Sequence, residues 1–120
     1  MRELNSHVVT ESDKSVRVVV LDEANEVTKA HHEYNILLNG SVSAEIRFQK
    51  GPVHENELNG ITGEALLAIV KDRLECFQQS QYSCRENAIA LTKIDEALLW
   101  LESRTRSRMK KGIEGTRRRG

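Results

Sequence analysis

The first half of the chain alternates apolar and polar residues with the two-residue period that is typical of β-strands. The segment SVRVVVLD, residues 15–22, is short and β-branched. The segment EYNILLNGSVSAEIRF contains two more such runs, separated by Asn39-Gly40, a pair that favours a tight type I′ turn. The apolar residues of the second run are expected to share one buried face of a sheet. They are Val42, Ala44, Ile46 and Phe48. Residues 24–33 are too polar to assign and could be a strand end or a long loop.

After Gly51-Pro52 the apolar spacing becomes helical. From about Thr62 to Gln79 one stripe predicts a helix, and its members are Leu66, Leu67, Val70, Leu74 and Phe77. A capping box over SCRE, residues 83–86, predicts the start of a second helix that Gly112 ends. Its stripe is Asn87, Leu91, Ile94, Leu98 and Leu101. The second helix is then about 28 residues long, on the order of 40 Å, and the first covers about two thirds of it.

These patterns predict an α+β fold, an N-terminal antiparallel β-sheet followed by a C-terminal antiparallel two-helix hairpin. We expect one domain over residues 1–120, with the β-sheet portion at 15–50, the helical hairpin at 61–112 and a basic tail at 113–120. A single hairpin cannot bury its leucines and isoleucines together with Trp100, so self-association through the helices is expected. A chain this small has few residues for a deep pocket, and a sizeable site is therefore expected to be shared between subunits.

The charge is asymmetric although the formal net charge is zero. From Arg104 onward eight Lys or Arg accompany only Glu114, about +7, which leaves about −7 on residues 1–103. The zero total argues against whole-molecule attraction to nucleic acid or to a membrane. The first residues form no apolar run like that of a signal peptide, and no run approaches the ~20 apolar residues of a membrane span. The sequence therefore predicts a soluble intracellular protein.

Motifs for metal binding or catalysis are absent from the sequence. His31 and His32 are adjacent and would point to opposite faces of a strand, while Cys76 and Cys84 lack the short spacing of a zinc knuckle. The two cysteines are expected to be half-buried thiols in a reducing cytosol. There is no G-x-S-x-G, no P-loop and no H-E-x-x-H. We therefore expect no metal, no cofactor, no catalytic residue and no enzyme.

The basic end of the second helix is the remaining candidate. Arg104 and Arg108 are four residues apart and stack on one face, where two guanidinium groups could grip two phosphates or a diphosphate, while Arg106 turns away. The helix dipole, which favours cations near a C-terminus, explains the pair equally well. Phe77, which could stack a base, and Asn87, an amide on an apolar stripe, favour the anion site. Together these four residues would suit a nucleotide.

The second half of the chain resembles a known family. The segments LAIVKDRL, CREN, ALLWLESRTR and GIEGT, within residues 45–116, are similar to the helical hairpin of two groups of phage counter-defence proteins, the Thoeris anti-defence sponges and the anti-CBASS cyclic nucleotide sponges. The strand-rich first half is similar to the Thoeris group. The resemblance implies a non-enzymatic protein that captures a small-molecule cyclic nucleotide signal, a glycocyclic ADP-ribose isomer and in some members cyclic di- or trinucleotides. It also implies homo-oligomers, dimers or hexamers, in the host cytoplasm.

Carried onto this chain, the resemblance makes Phe77 the pocket aromatic, Asn87 the amide that contacts adenine or ribose, and Arg104 and Arg108 the diphosphate-binding pair. Two departures from the family pattern are Tyr82-Ser83 before the cysteine and Arg117 after EGT. Two alternatives remain open: a small nucleic-acid-binding phage protein that uses the basic tail, and an enzyme that hydrolyses the messenger. Arg117 to Arg119 are expected to be a solvated tail, and no membrane or nucleic-acid partner is expected.

Overall fold

The chain forms two compact units, Met1–Ile61 and Thr62–Gly120, in a computed structural model that describes residues 2–26, 29–52 and 56–110. The first unit contains a four-stranded antiparallel sheet, and the second contains two helices. The predicted α+β class, a sheet followed by a helical hairpin, is confirmed. The grouping of both portions into one domain stays a prediction.

The sheet has the simplest possible topology, with strands ordered β1-β2-β3-β4 as they occur along the chain. The strands are β1 Arg2–Leu4, β2 Val16–Val20, β3 Glu33–Leu38 and β4 Ser41–Arg47. Every neighbouring pair is antiparallel. The sequence did not predict β1 or the 3-10 helix at Glu11–Ser15, because three and five residues are too few to show a period.

The hairpin between β3 and β4 confirms the predicted turn and corrects the predicted alternation. Asn39 and Gly40 both have positive φ, 51° and 85°, as a type I′ turn requires. The register then shifts, so that Leu37 lies opposite Val42 but Ile36 lies opposite Ala44. The extra residue is a β-bulge. Val42 therefore lies on the face of Leu37, and the prediction that it shares a face with Ala44 is wrong.

The buried hydrophobic residues of the described chain are few and lie on the central strand β2. Val20 is 1% exposed and Val19 is 8% exposed. Tyr34 and Phe48 pack edge to face beside them, with ring centroids 5.7 Å apart. The core of the described chain is thus in the sheet, and it is small.

A single carboxylate fixes the beginning of β3. Asp22 accepts hydrogen bonds from the backbone N–H of His32 at 2.9 Å and of Glu33 at 2.9 Å. Partial burial raises the pKa of Asp22, but these donors outweigh it, so that the pKa lies below its ordinary value. The carboxylate ties the second residue after β2 to the first residue of the next strand.

The helices are α1, Gly63–Gln78, and α2, Arg85–Lys110. Thr62 caps α1, because its hydroxyl accepts from the N–H of Ala65 at 3.1 Å. The predicted bounds of α1 are thus confirmed. Among the described residues no helix is long and apolar enough to cross a membrane. The predicted end of α2 at Gly112 and the tail 113–120, with Arg117 to Arg119, lie outside the described residues.

The predicted capping box of α2 is wrong by one residue. The helix begins at Arg85, and Cys84 takes the capping position that the sequence assigned to Ser83. The Cys84 sulfur accepts from the N–H of Asn87 at 3.4 Å, and its carbonyl accepts from the N–H of Ala88 at 3.1 Å. A thiol can replace a hydroxyl here because it also carries lone pairs, although it is a weaker acceptor.

Candidate functional site

Two of the four predicted site residues, Phe77 and Asn87, lie at the turn that joins the helices. Phe77 is in the last turn of α1, Asn87 is in the first turn of α2, and both are half-buried. Hydrogen bonds fix the backbone at both positions. The hydroxyl of Ser80 donates to the Phe77 carbonyl at 2.7 Å, and the Asn87 N–H is held by the cap of α2. The sequence therefore places an aromatic ring and an amide on a defined turn.

The other two predicted residues, Arg104 and Arg108, lie in the last turns of α2. Arg104 is exposed and Arg108 is half-buried. Neither has an ion-pair partner among the described residues. Arg106, which lies between them, pairs with Glu102 on another side of the helix, as its predicted orientation requires. The two guanidinium groups on the predicted face are thus left available for an anion.

An ion pair between the helices defines their register and their sides. Lys71 Nζ lies 2.9 Å from Asp95 Oδ1, and this hydrogen bond raises the pKa of Lys71. In an antiparallel hairpin this pair places the first residue of α1 opposite about residue 103 of α2. Arg108 therefore lies past the end of α1.

The same ion pair shows which helix sides lie together. Successive residues of a helix are about 100° apart, so α1 has one row of side chains on the side of Lys71 and a second row on the side of Phe77. Because Lys71 contacts Asp95, the row of α1 that contains Lys71 lies beside the row of α2 that contains Asp95, and these two rows form one surface. The rows on the opposite sides of the two helices form a second surface. We name the first surface the Asp95 face and the second the Phe77 face.

The two faces differ in chemistry. The Phe77 face is apolar and basic. Its members are Leu66, Val70, Arg73 and Phe77 of α1 and Ala90, Ala97, Trp100, Arg104 and Arg108 of α2. The Asp95 face is rich in carboxylates, and its members are Glu64, Ala68, Lys71 and Glu75 of α1 and Ala88, Asp95, Glu102 and Arg106 of α2. Glu86, at the start of α2, is an acidic exception on the Phe77 face.

The structure places Phe77, Arg104 and Arg108 on one face but does not bring all four predicted residues together. Asn87 and Arg104 are separated by about 25 Å along α2, at about 1.5 Å per residue. The turn end of the hairpin thus carries the ring and the amide, while the far end carries the arginine pair. One chain therefore supplies two half-sites at opposite ends of the hairpin.

The Phe77 face is also largely uncovered. Neither α1 nor α2 contains a buried residue. Val70 is 47% exposed, and Trp100, beside Arg104, is 68% exposed. Exposed apolar side chains on adjacent turns are typical of a surface that another protein covers.

One contact at the turn end was not predicted from the sequence. The Cζ atom of Arg73 lies 4.9 Å from the centroid of the Phe77 ring, a cation–π contact. The spacing of four residues on one helix was the available signal. From the sequence, Phe77 was predicted to stack a base together with Asn87 and the Arg104–Arg108 pair, without a contact to Arg73.

The other chemical features of the described residues are weaker candidates. In the described part of the chain no group of three or more His, Cys, Asp or Glu could hold a metal ion. The first unit has an open cavity of about 430 Å³ that Lys14 and Arg17 line. Both cations are already paired, Lys14 with Glu11 and Arg17 with Glu3. Both cysteines are exposed, more than the sequence predicted.

Known proteins are similar to this chain across the helical hairpin. The family model described as the Acb2/Tad1 hairpin domain matches residues 40–106, more than half of the chain. The chain is 52% identical over 73 residues to Thoeris anti-defense 1 of Bacillus phage SBSphiJ7, which is 61% of this chain and 51% of that protein. It thus spans about half the length of this curated relative. The resemblance inferred from the sequence is confirmed, and the family match includes Phe77, Asn87 and Arg104 but ends before Arg108.

Proposed function

The chain belongs to the Acb2/Tad1 hairpin domain family, and from this premise we propose that it is a phage anti-defence protein that sequesters a host immune messenger. The messenger of the proposal is a glycocyclic ADP-ribose isomer, with cyclic di- and trinucleotides as further candidates. The protein binds this messenger in the host cytoplasm without cleaving it. Binding lowers the free messenger concentration, and the host effector is not activated.

The observation that carries the proposal is the shared face of Phe77, Arg104 and Arg108. An aromatic ring can stack an adenine base. Two guanidinium groups four residues apart, which have no ion pair among the described residues, can bind a diphosphate through charge-assisted, bidentate hydrogen bonds. Asn87, at the turn, adds an amide that can donate and accept hydrogen bonds. These groups bind a nucleotide, and none of them is placed to act as a base or a nucleophile toward it.

The binding site of the proposal contains groups from more than one copy of the chain. The half-sites of one hairpin are about 25 Å apart, so one ligand cannot contact both on a single copy. An antiparallel pairing of two Phe77 faces would place the arginine end of one copy near the turn end of the other. Such a pairing is isologous, as in most two-fold dimers, and it would form two equal pockets. A dimer is the smallest assembly that meets this requirement, and a hexamer could contain three such pairs.

Two measurements on the purified protein test the proposal. Calorimetry with glycocyclic ADP-ribose measures the affinity, and heat denaturation followed by mass spectrometry of the supernatant identifies the released ligand. Tight binding with the ligand recovered intact is the expected result, and a useful sponge needs a Kd near the nanomolar range, about 12 kcal/mol.

Other results would contradict the proposal in different ways. A cleaved ligand would indicate an enzyme, and no binding of any cyclic nucleotide would overturn the proposed function. The family membership does not favour the nucleic-acid-binding alternative. That alternative predicts binding to DNA or RNA that weakens steeply as salt increases and that needs no cyclic ligand.

A further inference from the structure

Arg73 is held against the aromatic ring at the turn end of the Phe77 face. Its Cζ atom is 4.9 Å from the Phe77 centroid, within the range of a cation–π contact. The contact orders a long side chain that is otherwise exposed on the last turns of α1. It therefore keeps a guanidinium next to the ring to which the proposed function assigns base stacking.

The sequence around Arg73 leaves its charge without compensation. Side chains three and four residues away are its neighbours on a helix. They are Ile69, Val70, Cys76 and Phe77, none of which is a carboxylate. Arg73 also has no ion-pair partner among the described residues, whereas Lys71, two residues earlier, pairs with Asp95 at 2.9 Å. Among the described residues, Arg73 thus contacts the Phe77 ring but forms no ion pair.

We infer that Arg73 is a further ligand-binding residue, which binds a phosphate of the messenger while its guanidinium covers one face of Phe77. This inference rests on the proposed function. A stacked guanidinium uses its flat face for the ring and keeps its N–H edge free, and that edge matches two phosphate oxygens. Arg73 thus gives the turn end, which otherwise carries a ring and an amide, a cation of its own.

The position of Arg73 also determines which surface of Phe77 a ligand can use. The ring face under the guanidinium is occupied, so a base must stack on the opposite face or displace the arginine. In a pairing of two Phe77 faces, Arg73 of one copy and the Arg104–Arg108 pair of the other approach the same ligand from opposite ends. Three guanidinium groups then surround a diphosphate, and a neutral nucleoside gains little from them.

The test is calorimetry with glycocyclic ADP-ribose on the full chain at low and high salt. The variants are Arg73→Gln, which removes the charge, and Arg73→Lys, which keeps the charge but removes the planar fork. Arg85→Gln is the matched control, because Arg85 is also exposed and near the turn but points away from the Phe77 face. The oligomer mass and the unfolding temperature of each variant are measured in parallel.

We expect Arg73→Gln to weaken binding about tenfold or more, as for the loss of a charge-assisted hydrogen bond. Its affinity should also depend less on salt than that of the wild type, which a purely structural role would not change. Arg73→Lys should recover the salt dependence but only part of the affinity, and Arg85→Gln should match the wild type.

The outcomes separate this inference from the proposed function. If the wild type binds the ligand and Arg73→Gln binds it with the same affinity and salt dependence, the inference is overturned and the proposed function stands. Weaker binding with an unchanged salt dependence also overturns it, because Arg73 would then act only by positioning the ring. No binding by the wild type overturns both.

Discussion

Gln78 and Cys84 are joined by two hydrogen bonds that close the turn between the helices. The Gln78 side-chain nitrogen donates to the Cys84 carbonyl at 3.2 Å, and the Cys84 N–H donates to the Gln78 side-chain oxygen at 3.1 Å. One amide side chain thus satisfies both backbone groups of the residue that caps α2. Since Phe77 precedes Gln78 and Asn87 follows Cys84, this pair sets the spacing between the two proposed ligand residues.

The first prediction concerns this turn. Gln78→Ala removes both hydrogen bonds and should lower the free energy of unfolding by about 1–3 kcal/mol. Gln79→Ala, at the exposed neighbouring position, should change it little. Chemical denaturation followed by circular dichroism measures the difference. Equal stability of the two variants would mean that the amide bridge contributes nothing beyond the backbone turn.

The second prediction concerns the arginine pair. Arg108→Ala or Arg104→Ala should each cost at least about 2 kcal/mol of affinity for glycocyclic ADP-ribose, because each removes a charge-assisted contact. Arg106→Ala removes the same charge from the same turns, but Arg106 pairs with Glu102 on the other face, so affinity should be retained. Calorimetry gives the affinities, and sedimentation confirms that the oligomer is intact. An unchanged affinity would remove that arginine from the site.

The third prediction concerns self-association. Val70→Lys places a charge in the middle of the Phe77 face and should shift the protein to a smaller oligomer, because a buried unpaired ammonium is costly. Ala68→Lys makes the same change two residues earlier but on the Asp95 face. Light scattering after size-exclusion chromatography measures both masses. A mass that stays the same for Val70→Lys would exclude the Phe77 face as the interface.

The fourth prediction concerns pH and the sheet. The folded pKa of Asp22 is below its ordinary value, so its contribution to stability is complete above that value and is lost as pH falls through the folded pKa. Asp22→Ala should therefore reduce the protection of the His32 and Glu33 amides from hydrogen exchange near neutral pH. The difference from the wild type should shrink as pH falls below about 4.

The neighbouring carboxylate provides the control for this pH series. Glu23 is exposed, and Glu23→Ala should leave the protection of both amides unchanged at every pH. If Asp22→Ala leaves the protection of the His32 and Glu33 amides intact at neutral pH, the strand pairing alone holds these two amides.

Sequence reasoning found the elements whose pattern repeats over many residues. The Asn39-Gly40 turn and the bounds of α1 followed from local chemistry, and the structure confirms them. Features that depend on one residue were missed. The extra residue in β4 reverses the side of Val42, and nothing in an alternating run marks where a bulge falls. The cap of α2 at Cys84 was missed because cysteine is not among the residues that usually cap helices, whereas the neighbouring Ser83 is.

In the candidate site, too, features that follow from a local pattern were predicted, and features that depend on how the helices pack were not. The spacing of Arg104 and Arg108 was sufficient to place both on one helix face, and their lack of ion pairs among the described residues agrees with an available anion site. The distance from these arginines to Phe77 could not be predicted without the helix register, which one ion pair across the hairpin defines. The cation–π contact of Arg73 with the ring also needed coordinates, because four-residue spacing permits a contact but does not require it.

The unequal distribution of charge between the two hairpin faces has a consequence for selectivity. If the Phe77 faces are covered by assembly, the Asp95 faces lie outside that interface and present more carboxylates than cations. A negative exterior repels long polyanions such as messenger RNA, ribosomes and genomic DNA, which are present in large excess over any signal molecule. Only an anion small enough to enter between copies would then reach the guanidinium groups, so the assembly would exclude long polyanions by size and charge.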